Sequence, residues 1–338
     1  GSVIEQSLYD LLSYWSAIES HSQLRIVDAF RSVIVSPSGH SARFLYLLGD
    51  VLDHLGHRRE SVRLTGFLVR NRGQLGTVEA ELETQWRHAV NLLKAGDVDG
   101  AWNLLQEVET RARSAGLFAL LAQSLGEQAL IAKHRNDLEM ALRLHREEQR
   151  LYEELHEEVG LAGSMLNQSL ILRRMNDLDS AWEMIERSEQ TARKCGLKDV
   201  LVACLQNRAL ICTLRSDLDT ASILLSEKEQ ICLEIQDKAA LATCYQTQSE
   251  IRLRRSDPHG ALRLLDKKES LCRETGNVLE LAITRGNRGA LLSRCFGRHD
   301  EALHYVEEAR DLAARHGYTE RAIELQRMLE RIQGNRTR

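Results

Sequence analysis

Apolar and polar positions alternate with a helical period along nearly the whole chain, and two registers of small residues recur within that pattern every forty residues. The first runs Gly49, Ala89, Ala129, Ser169, Ala209, Ser249, Gly289. The second runs Ser61, Ala101, Ala141, Ala181, Ala221, Ala261 and, after a one-residue insertion, Ala302. Small side chains let two helix axes approach closely, while the Leu, Ile, Trp and Met around them fill the space between neighbouring pairs. The pattern therefore predicts a helix A carrying the first register and a helix B carrying the second. One such pair cannot bury its own apolar face, but a stack can. On helix B the acids Glu147, Glu148, Glu183, Glu186, Glu227 and Glu229 read as a solvated outer surface.

The turns keep the same period. Gly96-Asp-Val-Asp-Gly-Ala-Trp102, Asn136-Asp-Leu-Glu-Met-Ala-Leu142, Asn176-Asp-Leu-Asp-Ser-Ala-Trp182, Ser216-Asp-Leu-Asp-Thr-Ala-Ser222 and Ser256-Asp-Pro-His-Gly-Ala-Leu262 lie forty residues apart. In each, Asn, Ser or Gly breaks one helix, and Asp97, Asp137, Asp177, Asp217 or Asp257 is placed to cap the next. About twenty residues further on, Gly76, Gly116, Gly196, Gly276 and Gly317 suit the left-handed residue that ends a helix, with His156 and Gln236 standing there in the other two units. The expected organisation is an irregular N-terminal helical pair at 1–38, seven units at 39–76, 77–116, 117–156, 157–196, 197–236, 237–276 and 277–317, and a C-terminal capping helix with its tail at 318–338. The fold class is all-α, an α-solenoid of stacked antiparallel helix pairs.

The two ends read differently. Leu8, Leu11, Leu12, Trp15 and Ile18 share one helical face, followed by Leu24, Ile26, Val27, Phe30 and Val33, before Ser36-Pro-Ser-Gly-His40 breaks the pattern. At the other end Ile323, Leu325, Met328, Leu329 and Ile332 predict a last helix laid against the final pair.

The paired small positions, the Gly-Asp or Asn-Asp turn and the large apolar residue after the second Ala resemble the tetratricopeptide repeat over residues 40 to 317. The unit of forty departs from that family's thirty-four, and the proline that often ends its second helix is absent. Longer units of this kind are similar to those of Pins-type spindle adaptors, kinesin light chains and the sensor arms of signal-transduction ATPases. The Leu11-Leu-Ser-Tyr-Trp15 stretch looks like the junction where a NACHT-type ATPase of the nephrocystin kind passes into its repeat arm, with an irregular capping pair as the alternative. The resemblance implies a right-handed superhelix whose A helices line a concave face that binds a protein or peptide.

By register, that implication points to Asn167, Asn207 and Asn287, with Glu127 and Thr247 at the same place in other units and Glu250 nearby. A ladder of carboxamides offers a donor and an acceptor to a peptide backbone at each repeat, or else fixes the stacking of neighbouring helices. Basic residues close the A helices: Lys94; Lys133, His134 and Arg135; Arg173 and Arg174; Arg215; Arg254 and Arg255; Arg294. They suit an acidic partner through forked hydrogen bonds, and they also favour the helix dipole without any ligand. Trp102 and Trp182, directly after the small Ala, read as core.

Composition narrows the classes. Only two prolines and 5% aromatic residues favour helix throughout. A net charge of −4 excludes wholesale attraction to nucleic acid or an anionic membrane, and no run nears the length of a membrane span. Seven cysteines without a Cys-x-x-Cys pair read as small thiols of a reducing cytoplasm, and the histidines show no metal-ligand spacing. No nucleotide-binding or nucleophile motif occurs, so no enzyme, catalytic residue, metal or cofactor is expected. Gly1-Ser2 has the form of a cloning remnant, which implies a piece of a longer protein. The function expected is a protein- or peptide-binding scaffold, the ligand-sensing or docking part of a signalling protein. A nucleic-acid- or nucleotide-binding solenoid and an oligomerisation scaffold are the alternatives, and the oligomeric state stays open.

Overall fold

The computed structural model describes residues 31–35, 37, 42–54 and 56–336, and among these there are sixteen α-helices and no strand. The fold is an all-α helical repeat solenoid. The N-terminal apolar positions from Leu8 to Phe30 lie outside the described residues.

The chain forms two compact units, Gly1–Asn176 and Asp177–Arg338. The first contains α1 (Arg31–Val35), α2 (Ala42–His54), α3 (Arg58–Arg70), α4 (Val78–Ala95), α5 (Val98–Ala115), α6 (Phe118–His134), α7 (Leu138–Glu154) and α8 (Glu158–Arg174). The second contains α9 (Leu178–Cys195), α10 (Lys198–Leu214), α11 (Leu218–Glu234), α12 (Lys238–Arg254), α13 (Pro258–Glu274), α14 (Val278–Phe296), α15 (His299–Arg315) and α16 (Thr319–Arg336).

The helix starts follow from the turn acids. Asp97, Asp137, Asp177, Asp217 and Asp257 each accept the backbone N–H three residues on, satisfying a donor that has no partner inside the helix. Thr77, Glu157, Asp237 and Asn277 do the same at the A helices they precede. The helix ends follow from left-handed residues: glycine at 96, 116, 196, 276, 297 and 317, but Asn136, His156, Asn176, Ser216, Gln236 and Ser256 elsewhere. Gln236, with φ of 58°, carries a Cβ that this conformation disfavours. Gln236→Gly is therefore expected to raise stability by about 0.5–1 kcal/mol after the entropy lost by glycine is counted. Urea unfolding of the two proteins checks this.

The two small registers face each other within a pair. Ser61 Oγ of α3 donates to the Gly49 carbonyl of α2 at 2.9 Å, and Ser249 Oγ of α12 to the Ala261 carbonyl of α13 at 3.2 Å. At Gly289 of α14 a Cβ would come within 2.9 Å of the Ala302 carbonyl of α15, so that pair requires glycine. In the second unit Leu201, Leu205, Ala209, Ala221, Leu225 and Cys244 form one buried cluster. Another joins Leu303, Val306 and Ala309 to Leu325, Leu329 and Ile332 of α16. Ile323, expected in that contact, is instead exposed, because the seat of α16 is made by the positions four and seven residues apart from Leu325. In the first unit α1 buries Val33 and Ile34 against Phe44, Leu45 and Leu48 of α2.

Five cysteines are buried and two, Cys195 and Cys295, are exposed; none is in a disulfide. Burial pushes the Cys204 thiol up to about 11 and that of Cys244 up to about 12, so both stay protonated near neutral pH.

Candidate functional site

In the second unit the A helices α12 and α14 leave between them a groove of about 240 Å3 lined by Gln246, Glu250, Leu253, Asn287, Ala290 and Arg294, among others. Three of the residues singled out by register, Glu250, Asn287 and Arg294, are thus brought to one place. Their neighbour Gln246 organises two of them, Asn287 and Glu250. Its Oε1 accepts from Asn287 Nδ2 at 3.4 Å and from Lys268 Nζ at 3.1 Å, and its Nε2 donates to Glu250 Oε1 at 3.0 Å. Lys268 is buried and paired with Glu280 at 2.8 Å. Arg294, at the end of α14, is exposed and has no hydrogen-bonding or ionic partner among the described residues.

Forty residues earlier the motif recurs. Lys228 Nζ donates to Gln206 Oε1 at 2.6 Å and to Thr243 Oγ1 at 2.7 Å, and Gln206 Nε2 donates to Thr247 Oγ1 at 2.8 Å. Lys228 is only 1% exposed, and desolvation pulls its ammonium below the usual lysine range. In these two units a glutamine stands one position before the register of Asn207 and Thr247 and is propped from behind by a lysine of helix B. Asn207 turns back on its own helix, donating to the Ala203 carbonyl at 2.9 Å.

The signal for these residues lay in plain register, since Gln206 and Gln246 stand forty apart, as do Lys228 and Lys268. The helix B acids read as a solvated surface, and the same expectation hides Lys228 and Lys268, while Gln206 and Gln246 of the A helices are of a type common on any solvated face. Glu148 corrects that reading directly: it is buried in the first unit, its Oε2 2.6 Å from His145 Nδ1. A second polar ladder has the same cause. Gln128 donates to Glu109, Gln168 to Gln149, Arg208 to Glu189 and Gln248 to Glu229, always nineteen residues apart.

The basic stripe divides. In the first unit Lys94 Nζ pairs with Asp53 at 2.5 Å, and Arg174 donates to the Lys133 carbonyl at 3.4 Å and to Asn136 Oδ1 at 2.9 Å. In the second, Arg254 Nη1 donates to the Thr213 carbonyl at 2.8 Å. Lys133 and Thr213 lie in the last turns of their helices, where their carbonyls accept the Asn136 and Ser216 amides of the following turn at 3.1 and 3.2 Å and keep a second lone pair. Arginine forty-one residues later adds a second donor, so these side chains tie one A helix to the next. Arg135, Arg215 and Arg255 pair with Asp99, Asp179 and Asp219, thirty-six residues back. Arg173 is half-buried with Nε unpartnered, and burial, followed by the charge of Arg174, lowers its pKa. His134 is exposed and Asn167 half-buried, both in the first unit.

Trp182 and Trp102 are half-buried and pack against the buried clusters of their units, as their core reading expects, and each also meets arginine. Trp182 is half-buried beneath two guanidinium groups, Arg208 at 4.4 Å and Arg215 at 5.6 Å from its ring centre, and Trp102 lies 5.2 Å from Arg135. Among the described residues no cluster of three or more His, Cys, Asp or Glu side chains could hold a metal ion, and no helix is long and apolar enough to cross a membrane.

No family model and no curated protein matches the sequence. Solved structures do match in fold. A Rap protein complexed with competence and sporulation factor has a TM-score of 0.60 at 12% identity, covering 99% of this chain and 98% of that one. The apo form of the quorum sensor NprR from B. thuringiensis has a TM-score of 0.60 at 12% identity, covering 98% of each chain. A STAND signal-transduction ATPase with a tetratricopeptide repeat sensor, from Pyrococcus horikoshii, has a TM-score of 0.59 at 12% identity, with 83% of this chain matching 44% of that one. The neighbours are tetratricopeptide-like repeat proteins, and at such identities the likeness is one of fold.

Proposed function

We propose that the chain is a protein- or peptide-binding repeat scaffold and that the α12–α14 groove holds an acidic peptide. The observation that carries this reading is Arg294. It is an exposed guanidinium with no partner among the described residues, at the end of a groove whose other polar groups are organised around Gln246. A carboxylate of the ligand takes the Arg294 fork, the ligand backbone meets the Asn287 and Gln246 carboxamides, and Leu253 and Ala290 receive its apolar groups. Glu250 accepts a ligand N–H. The complex of a Rap protein with competence and sporulation factor, and the sensor role of the repeats in the STAND ATPase, support placing such a scaffold in the sensing or docking part of a signalling protein. The alternative of nucleic acid along the basic stripe is weakened, since Arg174 and Arg254 already donate to helix-end carbonyls.

The test is selection of peptides from a random linear library on the immobilised chain. The selected peptides are expected to be rich in Asp and Glu, and Arg294→Glu to weaken them by roughly tenfold or more, the worth of a charge-assisted hydrogen bond. Recovery of no peptide above background, or equal binding by the variant, would sink the reading.

A further inference from the structure

The forty-residue register breaks at two positions that meet in space. After the small helix B alanine the units carry Trp102, Leu142, Trp182, Leu262 and Leu303, but the unit between Trp182 and Leu262 carries Ser222. On helix A one position reads Leu92, Ala132, Leu172, Cys212 and Leu292, and the unit between the last two carries Arg252. Leu172, Cys212 and Leu292 are buried, whereas the Arg252 side chain is 54% exposed. Neither substitution serves the stacking that explains the rest of the repeat. Serine removes the volume that Trp182 fills beneath Arg208, and arginine replaces an apolar contact by a charge.

Both residues line one cavity of about 350 Å3 among α11, α12 and α13, on the helix B side and separate from the α12–α14 groove. Its floor is apolar, with Ile251 and Leu264, and its wall carries the cations Arg252, Arg263 and Lys267. The one lining carboxylate, Glu229, accepts from Gln248 Nε2 at 2.9 Å. Asp257 lies 3.5 Å from Arg252 through Oδ2, while its Oδ1 caps the Gly260 amide at 2.8 Å. Lys267 Nζ lies 5.0 Å from the Tyr245 ring centre, and Arg263 has no partner among the described residues. Three cations against one lining carboxylate, over an apolar floor, select an anion with an organic body. The volume sits at the lower end of the roughly 300–1,000 Å3 typical of small-molecule sites.

We propose that this cavity binds a small phosphate ester. The phosphoryl oxygens take the donors of Arg252, Arg263 and Lys267, and the organic group rests on Ile251 and Leu264 in the space Ser222 leaves open. Calorimetric titration of the full chain with phenyl phosphate and with inorganic phosphate tests it. Phenyl phosphate is expected to saturate one site per chain and to bind more tightly than inorganic phosphate. Ser222→Trp and Arg252→Leu restore residue types that the repeat uses elsewhere, so neither is expected to lower the melting temperature, yet each is expected to weaken phenyl phosphate by about tenfold or more. Arg294→Glu, in the peptide groove, is expected to leave it unchanged, which separates this site from the peptide-binding reading. Absence of saturable phenyl phosphate binding, or binding unaltered in both cavity variants, would overturn the proposal. Equal affinity for inorganic phosphate would uphold the anion site and overturn the organic body.

Discussion

Leu225→Ala is expected to destabilise the second unit by about 2–5 kcal/mol, the range for a fully buried leucine whose surroundings relax only in part. Leu225 of α11 is 0% exposed, and its backbone carbonyl accepts the Cys244 thiol of α12 at 3.3 Å. Around it lie Leu201 and Leu205 of α10 and Ile251 of α12, so the deletion opens a cavity bounded by three helices. In a solenoid each helix pair leans on its neighbours alone, and the loss is therefore felt first in α10 to α12. Amide hydrogen exchange should show faster opening in residues 198–254, together with a lower urea midpoint. An unchanged midpoint would mean that the α10–α12 core is not packed as described.

The second large effect is a pH dependence set by His88. This residue of α4 is half-buried, with Nδ1 2.9 Å from Thr65 Oγ1 of α3. The Thr65 hydroxyl already donates to the Ser61 carbonyl at 2.9 Å, so Nδ1 carries the hydrogen and donates to Thr65. Burial, then the charge of Arg70, lowers the His88 pKa to about 4, against the small opposing pull of Asp97. An unfolded histidine titrates near ~6.5. Between those values the unfolded chain binds a proton that the native imidazole refuses, so the contribution is complete above about pH 6.5 and is lost as pH falls toward about 4. About 2–3 kcal/mol of stability should disappear over that window. His88→Gln, which cannot titrate, should flatten the slope of unfolding free energy against pH. A slope unchanged in the variant would show that other groups set it.

How far the sequence reaches can be seen residue by residue. The turn aspartates and the small registers were legible because cap geometry and close helix approach each demand a particular residue type at a particular place, and the structure uses Asp137 and Ala221 accordingly. Left-handed backbone at Asn136 and Ser216 was less visible, since those types also occur in ordinary turns. The groove was half legible. Register found Asn287, Glu250 and Arg294, but not Gln246 and Lys268, because the direction of a long polar side chain is decided by the helix packed against it. Arg174 and Arg254 show the same limit: their charge was plain, but the carbonyl each engages belongs to a helix forty-one residues earlier. Ser222 and Arg252 were legible only as departures, and a departure acquires meaning once both are seen on one cavity wall.

The most direct measurement on the central claim is amide hydrogen exchange of the full chain with and without a peptide selected from the random library. Added protection concentrated in α12 and α14, and lost in Arg294→Glu, is the outcome this structure requires. Protection confined to the helix B segments α11 and α13, with α12 and α14 exchanging as they do in the free chain, would contradict it.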